Sequence, residues 1–137
     1  VCEKIWYMSK RQPEYDLQVA ICRYLSYQYP EVLFLSDTIA SLKLTPAQAS
    51  RNKKIQKFGF STPDLLILEP RNEFSGLFIE LKVETPFKKN GEIKASTNDH
   101  LKNQLESIEK LKEKGYFCCF SWGFDMTKDI IDNYLKV

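Results

Sequence analysis

Residues 59–84 read GFSTPDLLILEPRNEFSGLFIELKVE, and the fold turns on how this stretch is parsed. LLIL at 65–68 and GLFI at 76–79 are short runs of strand-forming residues, and the intervening PRNEFSG is rich in turn formers. The pattern predicts strands over 65–69 and 77–83, joined as an antiparallel hairpin whose turn lies near Asn72 and Glu73. Charge sits at the ends of these apolar runs: Asp64 opens the first, while Glu80 and Lys82 close the second. Strand side chains alternate between faces, so Glu80 and Lys82 point one way and Leu81 the other. Folding about the turn places Asp64 across from Leu81 and Lys82, and the three charged side chains then meet at one end of the sheet.

Working outward, Pro13 suits a first helical position. Glu14 and Asp16 favour the helix dipole, and Leu17, Ile21, Tyr24 and Leu25 recur at helical spacing, so a helix of about four turns ends before Pro30. VLFL at 32–35 is a short strand. Within the less regular segment 36–62, Thr45 and Pro46 form a cap and first-turn pair for a short basic helix over 46–57, ahead of a break at Gly59. Downstream, Asn98 caps a helix whose Leu101, Leu105, Ile108 and Leu111 share a face, and Gly115 occupies its C-terminal cap. YFCCFSW at 116–122 reads as a buried strand, and Asp125 caps a last helix carrying Ile130, Ile131, Tyr134 and Leu135. The main order is helix, three strands, helix, strand, helix. It predicts an α/β domain with a mixed sheet of about four strands, antiparallel across the hairpin and reached by a helical crossover at the last strand.

A chain of 137 residues suffices for one hydrophobic core and is too short for two independent ones. With 43% hydrophobic and 13% aromatic residues, the composition is that of an ordinary globular protein and argues against disorder. No apolar run reaches the roughly 20 residues that cross a bilayer, and no export signal is visible, so the expectation is a soluble cytoplasmic protein without a membrane partner. Residues 1–11 read as an extension preceding the domain proper at 12–137. Cys2, Cys22, Cys118 and Cys119 fit no common zinc spacing, and a single histidine argues against a structural zinc site. Net charge is only +2, but RNKKIQK at 51–57 and KKNGEIK at 88–94 flank the charged hairpin on both sides.

Paired carboxylates with a nearby lysine have a chemical meaning. Hard cations such as Mg²⁺ take oxygen ligands, commonly one or two carboxylates plus water and a substrate phosphate. Asp64, Glu80 and the backbone carbonyl of Leu81 supply such oxygens. Lys82 would hold the attacking water and offset charge on a scissile phosphate. Each residue alone has a plainer reading: Lys82 pairing with Glu80 or Glu84 on an exposed strand, or Asp64 capping a turn after Pro63.

Pro63-Asp64, followed sixteen residues after Asp64 by Glu80-Leu81-Lys82, resembles the PD-(D/E)xK signature of the restriction-endonuclease-like nucleases. The wider chain, over roughly residues 12–136, resembles the VRR-NUC branch and its small stand-alone phage and bacterial members. Glu14 with Gln18 on the first helix, Gln104 with its leucine pattern and Gly115-Tyr116, and the closing glycine, acid and helix ending in Tyr134-Leu135 carry that likeness. The resemblance implies Asp64 and Glu80 as ligands of Mg²⁺ or Mn²⁺, Lys82 as catalytic lysine and Gln104 as a supporting residue of the catalytic set. It adds Glu14 as a further carboxylate for the metal shell. A buried Gln104 bonded to backbone and a Glu14 serving only the helix dipole are the alternatives for those two positions; His100, one turn before Gln104, reads as incidental. The implied activity is DNA phosphodiester hydrolysis, directed at branched or Holliday-junction DNA by a homodimer in a bacterial or phage-infected cell. Lys53, Lys54, Lys57, Lys88, Lys89 and Lys94 then become phosphate contacts. The competing function is a DNA-binding module without catalysis.

Overall fold

The computed structural model describes residues 13–36, 43–94 and 99–136. The extension at 1–11, Cys2 and the expected cap Asn98 lie outside these residues. The described elements are α1 (Pro13–Gln28), β1 (Phe34–Ser36), α2 (Pro46–Ile55), β2 (Leu65–Ile67), β3 (Leu77–Lys82), α3 (Asp99–Glu113), β4 (Phe117–Trp122) and α4 (Phe124–Leu135). They form one α/β domain around a four-stranded sheet in the order β1-β2-β3-β4. The pairs β1/β2 and β2/β3 are antiparallel, while α3 carries the chain across so that β4 joins β3 in parallel.

Strand alternation divides the interior into two layers. Leu77, Ile79 and Leu81 of β3, with Leu65 and Ile67 of β2, pack against Ile21 and Leu25 of α1 and Ile131 and Leu135 of α4. Phe78 and Phe120 face the other way, against Ile108 and Leu111 of α3, with Cys118 buried among them. A strand covered on both faces must be apolar throughout, and β3 is buried from Leu77 to Leu81. Glu80, 4% exposed, therefore sits as an ionisable residue in the α3 layer.

Local signals explain most element ends. Thr45 caps the start of α2 with Pro46 in its first turn, as expected, and Gln48 bonds back to the cap to complete a reciprocal capping box. The N–H groups of Gly115 and Tyr116 bond back to the carbonyls of Lys112 and Leu111 at 3.0 and 3.1 Å, the Schellman closure expected for α3. At α4 the expectation fails: Gly123, not Asp125, is the N-cap, with φ 80° and no side-chain cap, and Asp125 falls in the first turn. The cause is the directness of the joint. The Gly123 N–H still bonds the Lys82 carbonyl at 3.1 Å, extending the β3/β4 ladder, and the next residue is already helical. A positive-φ residue turns the chain that abruptly, which favours glycine over the aspartate two residues later.

Candidate active site

The hairpin that carries the site is set by its turn and by one extra residue. Arg71 and Phe74 exchange backbone hydrogen bonds of 3.1 and 2.8 Å, and Asn72 and Glu73 between them have φ of 51° and 71°. This is a type I′ turn at the expected place. Between the pair Arg71↔Phe74 and the pair Ile67↔Leu77, one arm holds Leu68, Glu69 and Pro70 and the other only Ser75 and Gly76. The first arm bulges by one residue, on the side where Pro70 has no N–H to offer a ladder.

That bulge corrects the expected register. Leu65 pairs with Ile79, and the same register continued by one residue sets Asp64 opposite Glu80, not across from Leu81 and Lys82. A one-residue shift moves a side chain to the other face. Because of the bulge, Asp64 shares the α3 face with Glu80 and Lys82; an unbulged hairpin on the same turn would direct it toward α1 and α4.

Within the site, Asp64 Oδ2 accepts the Leu81 N–H at 2.8 Å, so Asp64 is bonded across the hairpin and is not a local turn cap. Gln104, 5% exposed on α3, donates from Nε2 to Glu80 Oε1 at 2.7 Å, a bond to a side chain and not the backbone bond that was its plainer reading. Its Oε1 is buried without a partner among the described residues. Burial pushes the Glu80 carboxyl up to about 9, helped by the charge of Asp64 and a hydrogen bond shared with it; Lys82 opposes this and Glu14 adds to it. Among the described residues Lys82 forms no ion pair, with Glu80, Glu84 or any other acid.

These groups open into a cleft of about 370 Å³. Glu14 from α1, Asn52 and Gln56 from the α2 region, Ser61, Thr62 and His100 complete its walls. Glu14 thus reaches the site. Asn52, Gln56 and His100 were not among the expected site residues; the first two are spaced four apart and hydrogen-bonded at 3.1 Å, a periodicity visible in sequence without any sign of which face it would present. Behind Asp64, Gln18 of α1 donates to Ser36 Oγ at 2.5 Å, and Ser36 donates to the Asp64 carbonyl at 3.3 Å. A second cleft shares Glu14, Lys82 and His100 and is lined by Lys94. Lys88 and Lys89 stand exposed on a small hairpin closed by the bridge Phe87↔Ile93, and Lys53, Lys54 and Lys57 are exposed on and after α2. A roomier groove along the outer face of α1, lined by Tyr15, Val19, Cys22 and Tyr27, contains none of the expected site residues.

The site fits a hard cation. The expected ligands Asp64, Glu80 and the Leu81 carbonyl offer oxygen alone, burial and then the charge of Asp64 make the Glu80 carboxyl resist ionisation, and a buried amide oxygen lacks a partner. Among the described residues no three histidine, cysteine or acidic side chains close into a full cage, which leaves any cation dependent on water or substrate oxygens for the rest of its shell. No helix among the described residues is long and apolar enough to cross a membrane.

The fold and site together define an α/β domain that displays two carboxylates, a lysine and a glutamine at one end of a mixed sheet. A solved structure described as a "VRR_NUC domain protein" shares this fold: it matches over 93% of this chain and 91% of its own, with a TM-score of 0.58 and 23% sequence identity. No protein-family model and no curated protein matches the chain.

Proposed function

We propose that the protein is a Mg²⁺- or Mn²⁺-dependent endonuclease that hydrolyses DNA phosphodiester bonds, with branched or Holliday-junction DNA as substrate, acting as a cytoplasmic homodimer. The observation that carries the catalytic reading is the convergence of Asp64, Glu80 and Lys82 on one sheet face, with Gln104 bonded to Glu80. The likeness of fold to a VRR_NUC domain protein supports it.

Asp64, Glu80 and the Leu81 carbonyl would hold the cation, with Glu14 as an added carboxylate. When bound, the cation supplies Lewis-acid polarisation of the phosphate and lowers the pKa of a water molecule. Lys82, unpaired by any described acid, is available to orient the attacking water and to offset charge on the scissile phosphate. Gln104 fixes the Glu80 carboxylate through Nε2 and keeps its Oε1 free to accept a hydrogen bond from water. Lys94 beside the second cleft, with Lys88 and Lys89 beyond it, offers contacts to the phosphates of the substrate backbone.

The test is cleavage of labelled single-stranded, duplex, flap and four-way-junction DNA with either cation. Lys82→Ala and Asp64→Ala are expected to lower the rate by about 10²–10³-fold or more while leaving circular dichroism unchanged. DNA binding that persists in EDTA, with no cleavage by the native protein under either cation, would establish the non-catalytic module instead.

A further inference from the structure

Phe58 is 95% exposed, the most exposed large apolar side chain among the described residues, and Ile55, three residues earlier, is 80% exposed. The backbone beneath Phe58 is nevertheless well anchored. The Phe60 N–H bonds the Lys57 carbonyl at 3.2 Å, closing a tight turn in which Gly59 has φ +74°, the conformation a type II turn demands at its third residue. Lys110 of α3 donates to the Gly59 carbonyl at 3.3 Å, and the Ser61 N–H donates to Ser107 Oγ at 2.8 Å. The same helix that presents Gln104 to the site therefore holds this turn. Gln56 and Ser61, on either side of the turn, both line the cleft, so Phe58 lies on the short exposed segment that joins two of its walls.

We propose that Phe58 is a base-stacking residue: it seats an unpaired base of a nucleic-acid strand whose phosphates follow Lys53, Lys54 and Lys57 into the cleft. This rests on the nuclease reading above and adds to it a residue that selects strands with an unstacked nucleotide near the scissile phosphate.

Charge favours nucleic acid over protein as the occupant. Residues 43–63 contain Lys43, Arg51, Lys53, Lys54 and Lys57 and no aspartate or glutamate. The lysines form no ion pair among the described residues. Protein interfaces are depleted of lysine at their centres, whereas an aromatic ring beside a basic track is the standard means of gripping a single strand. α2 buries none of its residues, so its exposed face is not consumed by the fold.

The experiment measures binding apart from cleavage. Oligonucleotides carrying 2-aminopurine at successive positions, single-stranded or as a flap, are titrated in Mg²⁺ with Lys82→Ala protein, with and without Phe58→Ala or Phe58→Trp. With Phe58 present, one position near the flap junction is expected to show quenched emission. Phe58→Ala should remove that quenching and weaken single-strand binding by about tenfold, Phe58→Trp should retain both, and blunt-duplex binding should change by less than about twofold. Equal single-strand affinity and quenching in Phe58→Ala would overturn the proposal. So would a shift in the sedimentation of the protein alone, which would assign Phe58 to a contact between copies of the chain. The two readings fail separately: native protein that cleaves while Phe58→Ala binds unchanged refutes only the stacking role, and native protein that quenches without ever cleaving refutes only the nuclease.

Discussion

Glu80 is where stability and chemistry oppose each other. A carboxyl whose folded pKa is raised takes up a proton on folding, so it weakens the fold as pH rises from the ordinary value of 4.5 toward about 9. In EDTA the native protein should lose stability across that window. Glu80→Gln should remove the Glu80 contribution to that slope and raise the denaturation midpoint at pH 8, while reducing metal-dependent cleavage by about 10²-fold or more. Mg²⁺ or Mn²⁺ should raise the melting temperature of the native protein more at pH 8 than at pH 6, because cation and proton compete for the same oxygens. A pH slope identical in the two proteins would show that Glu80 is not the strained carboxylate. The charged trio was legible from its position beside the hairpin. The bond from Gln104 was not, because it joins residues 24 apart in sequence.

Among the elements, the hairpin decides whether the trio assembles. Its type I′ turn places Glu73 at φ 71°, where a side chain is strained and glycine is not. Glu73→Gly should stabilise the fold by about 1 kcal/mol, read as a higher denaturant midpoint at an unchanged slope, with cleavage unaffected. The turn itself was predictable from composition, but the bulge on the Pro70 arm was not. That arm is held from a distance: the Leu68 N–H bonds the Leu33 carbonyl at 2.9 Å, and Tyr134 donates to the Glu69 carbonyl at 2.7 Å across 65 residues. Local periodicity sees neither partner.

At the scale of the molecule, α1 must be held against the sheet for Glu14 to reach the cleft. Asp132 of α4 does this by accepting the hydroxyl of Tyr24 on α1, the hydroxyl of Tyr29 just beyond it at 2.6 Å, and Lys128 Nζ at 2.9 Å. Burial would raise the Asp132 carboxyl, but these hydrogen bonds outweigh it and lower it to about 2. Its stabilisation is thus complete above the ordinary value of 3.8 and is lost as pH falls through about 2. Asp132→Ala strands two part-buried hydroxyls and should cost about 2 kcal/mol or more at pH 7 by chemical denaturation, a deficit that shrinks at pH 2. Tyr24→Phe, which keeps the ring, should cost about 1 kcal/mol.

Sequence by itself determined the elements, the hairpin turn, the charges at its ends and the amphipathic face on which Gln104 lies. Each of these is written in residue spacing, caps or turn chemistry that act over a few positions. Tertiary structure alone decided that Asp64 shares a face with Glu80, that Gln104 bonds that carboxylate, that Glu14, Asn52, Gln56 and His100 wall the same cleft, and that Phe58 is left bare between two of those walls. Those outcomes depend on one bulged residue and on contacts such as Ser61 with Ser107, 46 positions apart, whose geometry exists only once distant segments have packed.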